Sequence, residues 1–188
     1  MAVPSGINGF MPMFRDLRAD EIECRVAQAT EKGISLLLYK DARCDQNILD
    51  ETVGAMNWQR HHVRDNANCV VSIWDSDKKQ WIEKEDTGTE SNTEKEKGLA
   101  SDSFKRACFN WGIGRELYSA PFIWVNAADC MALKQNRDKW QCRDSFTVEK
   151  IVIENKKIVA IAIKNEKSGK RCFVWQDAAF KAKREGAK

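Results

Sequence analysis

Three short β-like segments, Asn57 to Arg64, Cys69 to Asp75 and Gln80 to Asp86, follow one another with four residues between neighbours. The connectors, Asp65-Asn66-Ala67-Asn68 and Ser76-Asp77-Lys78-Lys79, consist largely of residues that tolerate tight turns. A parallel crossover needs a dozen or more residues, so links this short admit only antiparallel neighbours. The segment therefore reads as a meander with Lys78 and Lys79 at a hairpin tip. A helix is expected next, from Thr93 to Trp111. Thr93 and Glu96 fit a capping box, and Ala100, Phe104, Ala107, Cys108 and Trp111 recur at helical spacing as one apolar stripe. Gly112 and Gly114 end it. With Phe104 at the centre of the stripe and 100° per residue, Lys105 falls on its flank, and Lys95, Asp102 and Arg106 on the far side.

The flanking regions complete an α+β class. Leu17, Ile22, Val26 and Ala29 predict a helix over Leu17 to Thr30, stopped before Gly33. Ile34 to Tyr39 reads as a strand, and Asn47 to Val53 as a short helix ended by Gly54. Phe146 to Ile153, Lys157 to Lys164 and Arg171 to Trp175 alternate as strands, with turns at Asn155-Lys156 and Ser168-Gly169. At 188 residues one core suffices. The expected division is an N-terminal arm over 1–16, a single domain over 17–176 and a basic tail over 177–188.

Charged residues make up 31% of the chain, and no apolar run approaches the ~20 residues that span a bilayer. The first residues show no basic leader followed by an apolar stretch, so no secretory signal and a cytoplasmic location are expected. The net charge of +3 is unevenly spread: Lys164 to Lys188 carries eight Lys/Arg against three acids, a surplus of +5, which leaves −2 for the rest. A polyanion partner and a solvated terminus explain that end equally well. The seven cysteines are widely spaced, with no Cys-x-x-Cys, and the adjacent His61-His62 cannot readily supply two convergent ligands. Reduced thiols and no metal are expected.

Asp86 to Gly114 carries the candidate chemistry. Gripping successive phosphates takes long, permanently charged side chains in a row, and Lys105-Arg106 supplies two beside the apolar stripe. Asp102, three and four residues earlier, is placed to pair with them. By itself a lone Lys-Arg pair also describes a solvated helix face.

The segment resembles the signature of the Rad-fifty-two family of single-strand annealing proteins. The matching residues are Gly88, Lys97, Asp102, Phe104, Lys105, Arg106, Ala107, Trp111 and Gly112. Upstream, Gly54 with Asn57-Trp58 resembles the family's Gly-x-x-x-Trp entry into the first meander strand, and the likeness spans roughly Ile34 to Gly114. Arg43 is the nearest residue to a family arginine and falls one position off; Glu90 replaces a second glycine. The resemblance implies a β-β-β-α core, with an antiparallel sheet packed on a long helix, assembled into rings. It implies an annealing domain of phage or prophage type that binds single-stranded DNA in a basic groove, with Lys105 and Arg106 in the inner groove. Lys97 would assist, Lys78 and Lys79 would form an outer site, and Arg43 would contribute. Partners would be single-stranded DNA and further copies of the chain, with room for an exonuclease or single-strand-binding partner. Annealing is driven by duplex formation, so neither cofactor nor catalysis is expected. Consistently, Ser168-Gly169-Lys170 is a turn and no phosphate-binding Gly-x-x-x-x-Gly-Lys-Ser/Thr loop occurs.

Three other readings fit parts of the sequence. A metal-dependent nuclease would use Asp75, Asp77 and Lys79, but two of these lie at a hairpin tip, where a water-excluding site is hard to build. A passive strand binder would stack bases on tryptophan, whereas Trp58 and Trp111 sit on apolar faces that favour packing. A ring-forming scaffold would make no DNA contact. His61 and His62 lie on a strand, so one of them faces outward.

Overall fold

The computed structural model describes residues 12–89 and 95–186, without the side chains of 95–97. Thr93, Glu90, Glu94, the arm up to residue 11, and the side chains of Glu96 and Lys97 lie outside the described residues. The chain forms an α+β structure with antiparallel sheets and, among the described residues, three α-helices. It divides into two compact units, one built on 12–15 and 42–113, the other on 16–41 and 114–186. Each unit is assembled from separated stretches of the chain.

In the first unit, α1 (Ala42–Val53) precedes a three-stranded sheet of β3 (Trp58–Val63), β4 (Asn68–Asp75) and β5 (Gln80–Thr87), ordered β3-β4-β5. The pairing is antiparallel, with Trp58 opposite Ile73 and Ile73 opposite Ile82. The meander follows the turn chemistry closely. Arg64, Asp65 and Asn66 take positive φ at one connector and Lys79 at the other. Then α2 (Lys95–Trp111) contacts β4 and β5, burying Phe104, Ala107 and Cys108 completely. Within the stretch expected as an arm, Phe14 is buried and Arg15 pairs with Glu51 of α1 at 2.6 Å.

Gly88 explains one glycine of the sequence signature. A Cβ there would stand 2.5 Å from the Ser103 amide nitrogen and 2.8 Å from the Leu99 carbonyl oxygen, both backbone atoms of α2. Only a residue without a side chain lets the strand end approach the helix this closely. Gly88→Ala is expected to force the helix outward and cost about 1–3 kcal/mol. A denaturant midpoint unchanged from wild type would contradict that close approach.

The second unit carries a six-stranded antiparallel sheet ordered β11-β10-β9-β1-β2-β6. Its strands are β1 (Glu23–Thr30), β2 (Gly33–Tyr39), β6 (Ile123–Asn126), β9 (Phe146–Glu154), β10 (Lys157–Asn165) and β11 (Lys170–Gln176). The end strands β6 and β11 come back beside each other. Buried Ile158 to Ile163 on β10 form much of this core. A separate hairpin joins β7 (Leu133–Asn136) to β8 (Lys139–Cys142).

Two expectations fail in this unit. Leu17 to Thr30 is no helix: only a short 3-10 turn, Ala19–Glu21, precedes strand β1. Val26 faces Leu36 and Gln28 faces Ser35, which leaves Ala27 as an extra residue in a bulge. The bulge stretches the inward spacing from two to three, so Val26 and Ala29 imitate helical periodicity. Gly33 belongs to the hairpin rather than a helix end. Its φ is +151°, and a Cβ would penetrate the Val125 carbonyl oxygen of β6. The basic tail, in turn, contains a helix, α3 (Ala178–Gly186), whose first turn is capped by Asp177 accepting the Phe180 amide at 2.6 Å.

Candidate nucleic-acid interface

The register fixes which side chains of the sheet look toward α2. Trp58, Arg60 and His62 alternate along β3 and reach the helix: Trp58 stacks on Phe104 at 6.2 Å between ring centres, and the Arg60 guanidinium lies 4.4 Å over the same ring. The Ser103 hydroxyl lies 3.4 Å from His62 Nδ1 and 3.1 Å from the Asn66 carbonyl oxygen. On β5, Lys84 and Asp86 share this face. Lys84 places its ammonium 4.4 Å over Trp111 and donates to the Asn110 carbonyl at 2.9 Å. Trp111 itself donates to the Val71 carbonyl at 3.0 Å. The two tryptophans are packing elements, Trp58 also donating to Asp50 of α1 at 2.6 Å.

The adjacent pair on α2 diverges. Arg106 bends onto β5 and pairs with Asp86 at 3.3 Å, so it does not stand on the ridge opposite Phe104. The half-buried Asp86 carboxylate draws the long side chain across, and Asn110 donates to its other oxygen at 3.3 Å. Asp102 was expected to pair with the two cations; instead its carboxylate accepts the Thr89 amide at 2.8 Å and ties the strand end to the helix. Lys105, 100° further round the helix, is half-exposed and has no ion pair among the described residues. Arg60, exposed on edge strand β3, also has none, and sequence reasoning missed it. The signal that could have found it was alternation with Trp58 and His62.

The remaining candidates lie elsewhere in this unit. Lys78 is exposed but tethered to buried Asp75 at 2.7 Å. Asp75 also accepts the Asp77 and Lys78 amides at 3.0 Å each. The hydrogen bond from the Lys78 side chain, aided by those amides, holds the Asp75 carboxyl below its ordinary range. Asp75 is therefore the keystone of its turn, and the three-ligand groupings among the described residues do not include it. Lys79 is exposed at positive φ on the same tip. Arg43 is exposed in the first turn of α1. Lys97 is on α2 with its side chain outside the described residues.

Burial, with the Arg60 cation next in weight, lowers the His62 pKa from its ordinary 6.5. A depressed histidine binds its proton more readily in the unfolded chain, so its contribution to stability is present above about pH 6.5 and lost as pH falls below it. Denaturant midpoints between pH 7 and pH 5 should therefore drop in wild type and drop less in His62→Gln. Equal slopes in the two proteins would remove His62 from the account.

Compared with protein-family models, curated proteins and solved structures, the chain matches none of them.

Proposed function

We propose that the chain binds single-stranded DNA through its phosphates and anneals complementary strands without a nucleotide, as a ring of identical copies. The observation that carries this reading is the set of cations where α2 packs on the three-stranded sheet: Lys105 unpaired among the described residues, Arg60 of edge strand β3 braced on Phe104, and Arg106 held on Asp86 of the other edge strand, β5. Permanent charges held in place by packing meet a polyanion with little ordering entropy to lose. Phosphate contacts leave base edges outward and carry no sequence information, which is what pairing of arbitrary complements needs. A ring multiplies a weak site into high avidity.

The resemblance of Gly88 to Gly112 to an annealing signature supports the same reading. Gly88 and Asp102 support it further, because each has a concrete task in joining the strand end to α2. The outer surface of the sheet suits phosphate less well: Glu83 and Glu85 lie there, bonded to Ser72 and Asn68. The inner groove, rather than the Lys78-Lys79 tip, is the proposed main site.

The test is strand annealing followed by fluorescence, with two complementary oligonucleotides, the purified chain and no nucleotide. Acceleration over the spontaneous rate is the expected result. Binding that merely coats and protects each strand would favour a passive binder, and magnesium-dependent shortening of the strands would favour a nuclease. A preparation that stays monomeric and ignores oligonucleotides at low salt would end the proposal.

A further inference from the structure

In the second unit, three residues flanking one short hairpin meet at the base of β7–β8. Cys130 follows the 3-10 turn Ala127–Asp129, Cys142 is the last residue of β8, and Asp144 lies in the link to β9. The hairpin brings them together: Leu133 pairs with Cys142, and the Arg143 amide donates to the Ala132 carbonyl at 3.2 Å. The two sulfurs and a carboxylate oxygen lie within 4.8 Å of one another.

Asp144 is the informative member. It is only 8% exposed. One oxygen, Oδ2, accepts the Met131 amide at 2.6 Å, the Ala132 amide at 3.2 Å, the Asn165 side-chain amide at 3.2 Å and the Cys142 thiol at 3.5 Å. The other, Oδ1, is buried with no hydrogen-bond partner. Leaving a carboxylate oxygen buried and unpartnered is costly. Asn165 is itself fully buried and also donates to the Asp129 carbonyl at 3.0 Å, so Oδ2 is anchored in a rigid frame. Donors fixing one oxygen while the other stays open is the outer-shell arrangement that orients a metal-binding carboxylate.

We propose that Cys130, Cys142 and Asp144 bind a thiophilic divalent cation, zinc by preference. Two thiolates select a soft or borderline ion over magnesium or calcium, and a compact set of two sulfurs and one oxygen suits tetrahedral coordination. A water completes the fourth position. The site has a structural purpose: a two-stranded hairpin adds little stability of its own, and a metal at its base would clasp the two chain ends that enter and leave it. A disulfide between the cysteines would make no use of Asp144 and would leave Oδ1 orphaned.

The test is made on the full chain, purified with reductant and loaded with zinc or cobalt. Stoichiometric zinc surviving gel filtration, and thiolate-to-cobalt charge-transfer absorption with tetrahedral ligand-field bands, are expected. Cys142→Ser and Asp144→Asn should each lose tight metal retention, while Cys44→Ser, whose thiol is outside the cluster, should keep it. Wild type that retains no zinc and gives no cobalt charge-transfer band would overturn the site without recourse to any variant. A Cys130–Cys142 disulfide recovered by mass spectrometry from protein offered zinc under reductant would overturn it too.

Discussion

The double variant Lys105→Ala/Arg106→Ala is expected to lose single-strand binding while its fold persists. Neither side chain is needed for packing: Lys105 is half-exposed and unpaired among the described residues, and Arg106 makes one partly exposed ion pair with Asp86. Such pairs add at most ~1 kcal/mol to stability. Each charge-assisted phosphate contact, by contrast, is worth roughly 1.5–3 kcal/mol, so the pair should count for about a hundredfold or more in affinity per site. Fluorescence anisotropy over a salt series is the measurement, because each phosphate-binding cation removed should flatten the slope of log K against log salt by about 1. A companion substitution, Asp86→Asn, releases Arg106 from its present partner and should strengthen binding. Wild-type affinity and slope in the double variant would refute the site assignment.

The second large effect is on stability. Phe104 is completely buried in the first unit, with Trp58 stacked on it and Arg60 over its ring. Phe104→Ala removes the centre of the contact between α2 and β3 and leaves a void that the rigid meander cannot close. The expected cost is about 3–5 kcal/mol. In a protein of this size that corresponds to a fall of about 6–20 °C in Tm. Strand binding should weaken as well, because Arg60 loses its brace. A loss below about 1 kcal/mol in chemical denaturation would show that the helix is held elsewhere.

Much of the first unit was legible without coordinates. The meander from Trp58 to Thr87 and the helix ending at Trp111 were expected nearly to the residue, because their information is local: turn residues at fixed intervals, then one apolar stripe. The β9–β11 strands were legible for the same reason. Strand β1 was misread because the bulge at Ala27 disguised its alternation. Strands β6, β7 and β8, of four residues each, are too short to show a period at all. Of the candidate residues, Lys105 and Arg106 were singled out by the resemblance, and their place beside the stripe was legible. Where Arg106 points was not, because its partner Asp86 lies twenty residues away on another element.

By itself, then, the sequence determined what nearest-neighbour physics can specify: the α+β class, the meander, the long helix and the segment rich in paired cations. Tertiary structure alone decided the division into two units, the turning of Arg106 onto β5, the bracing of Arg60 on Phe104, and the meeting of Cys130, Cys142 and Asp144. The reason is the same in each case. Those outcomes depend on which surfaces are buried against each other, and pairing across long loops leaves no periodic trace in the chain that encodes it.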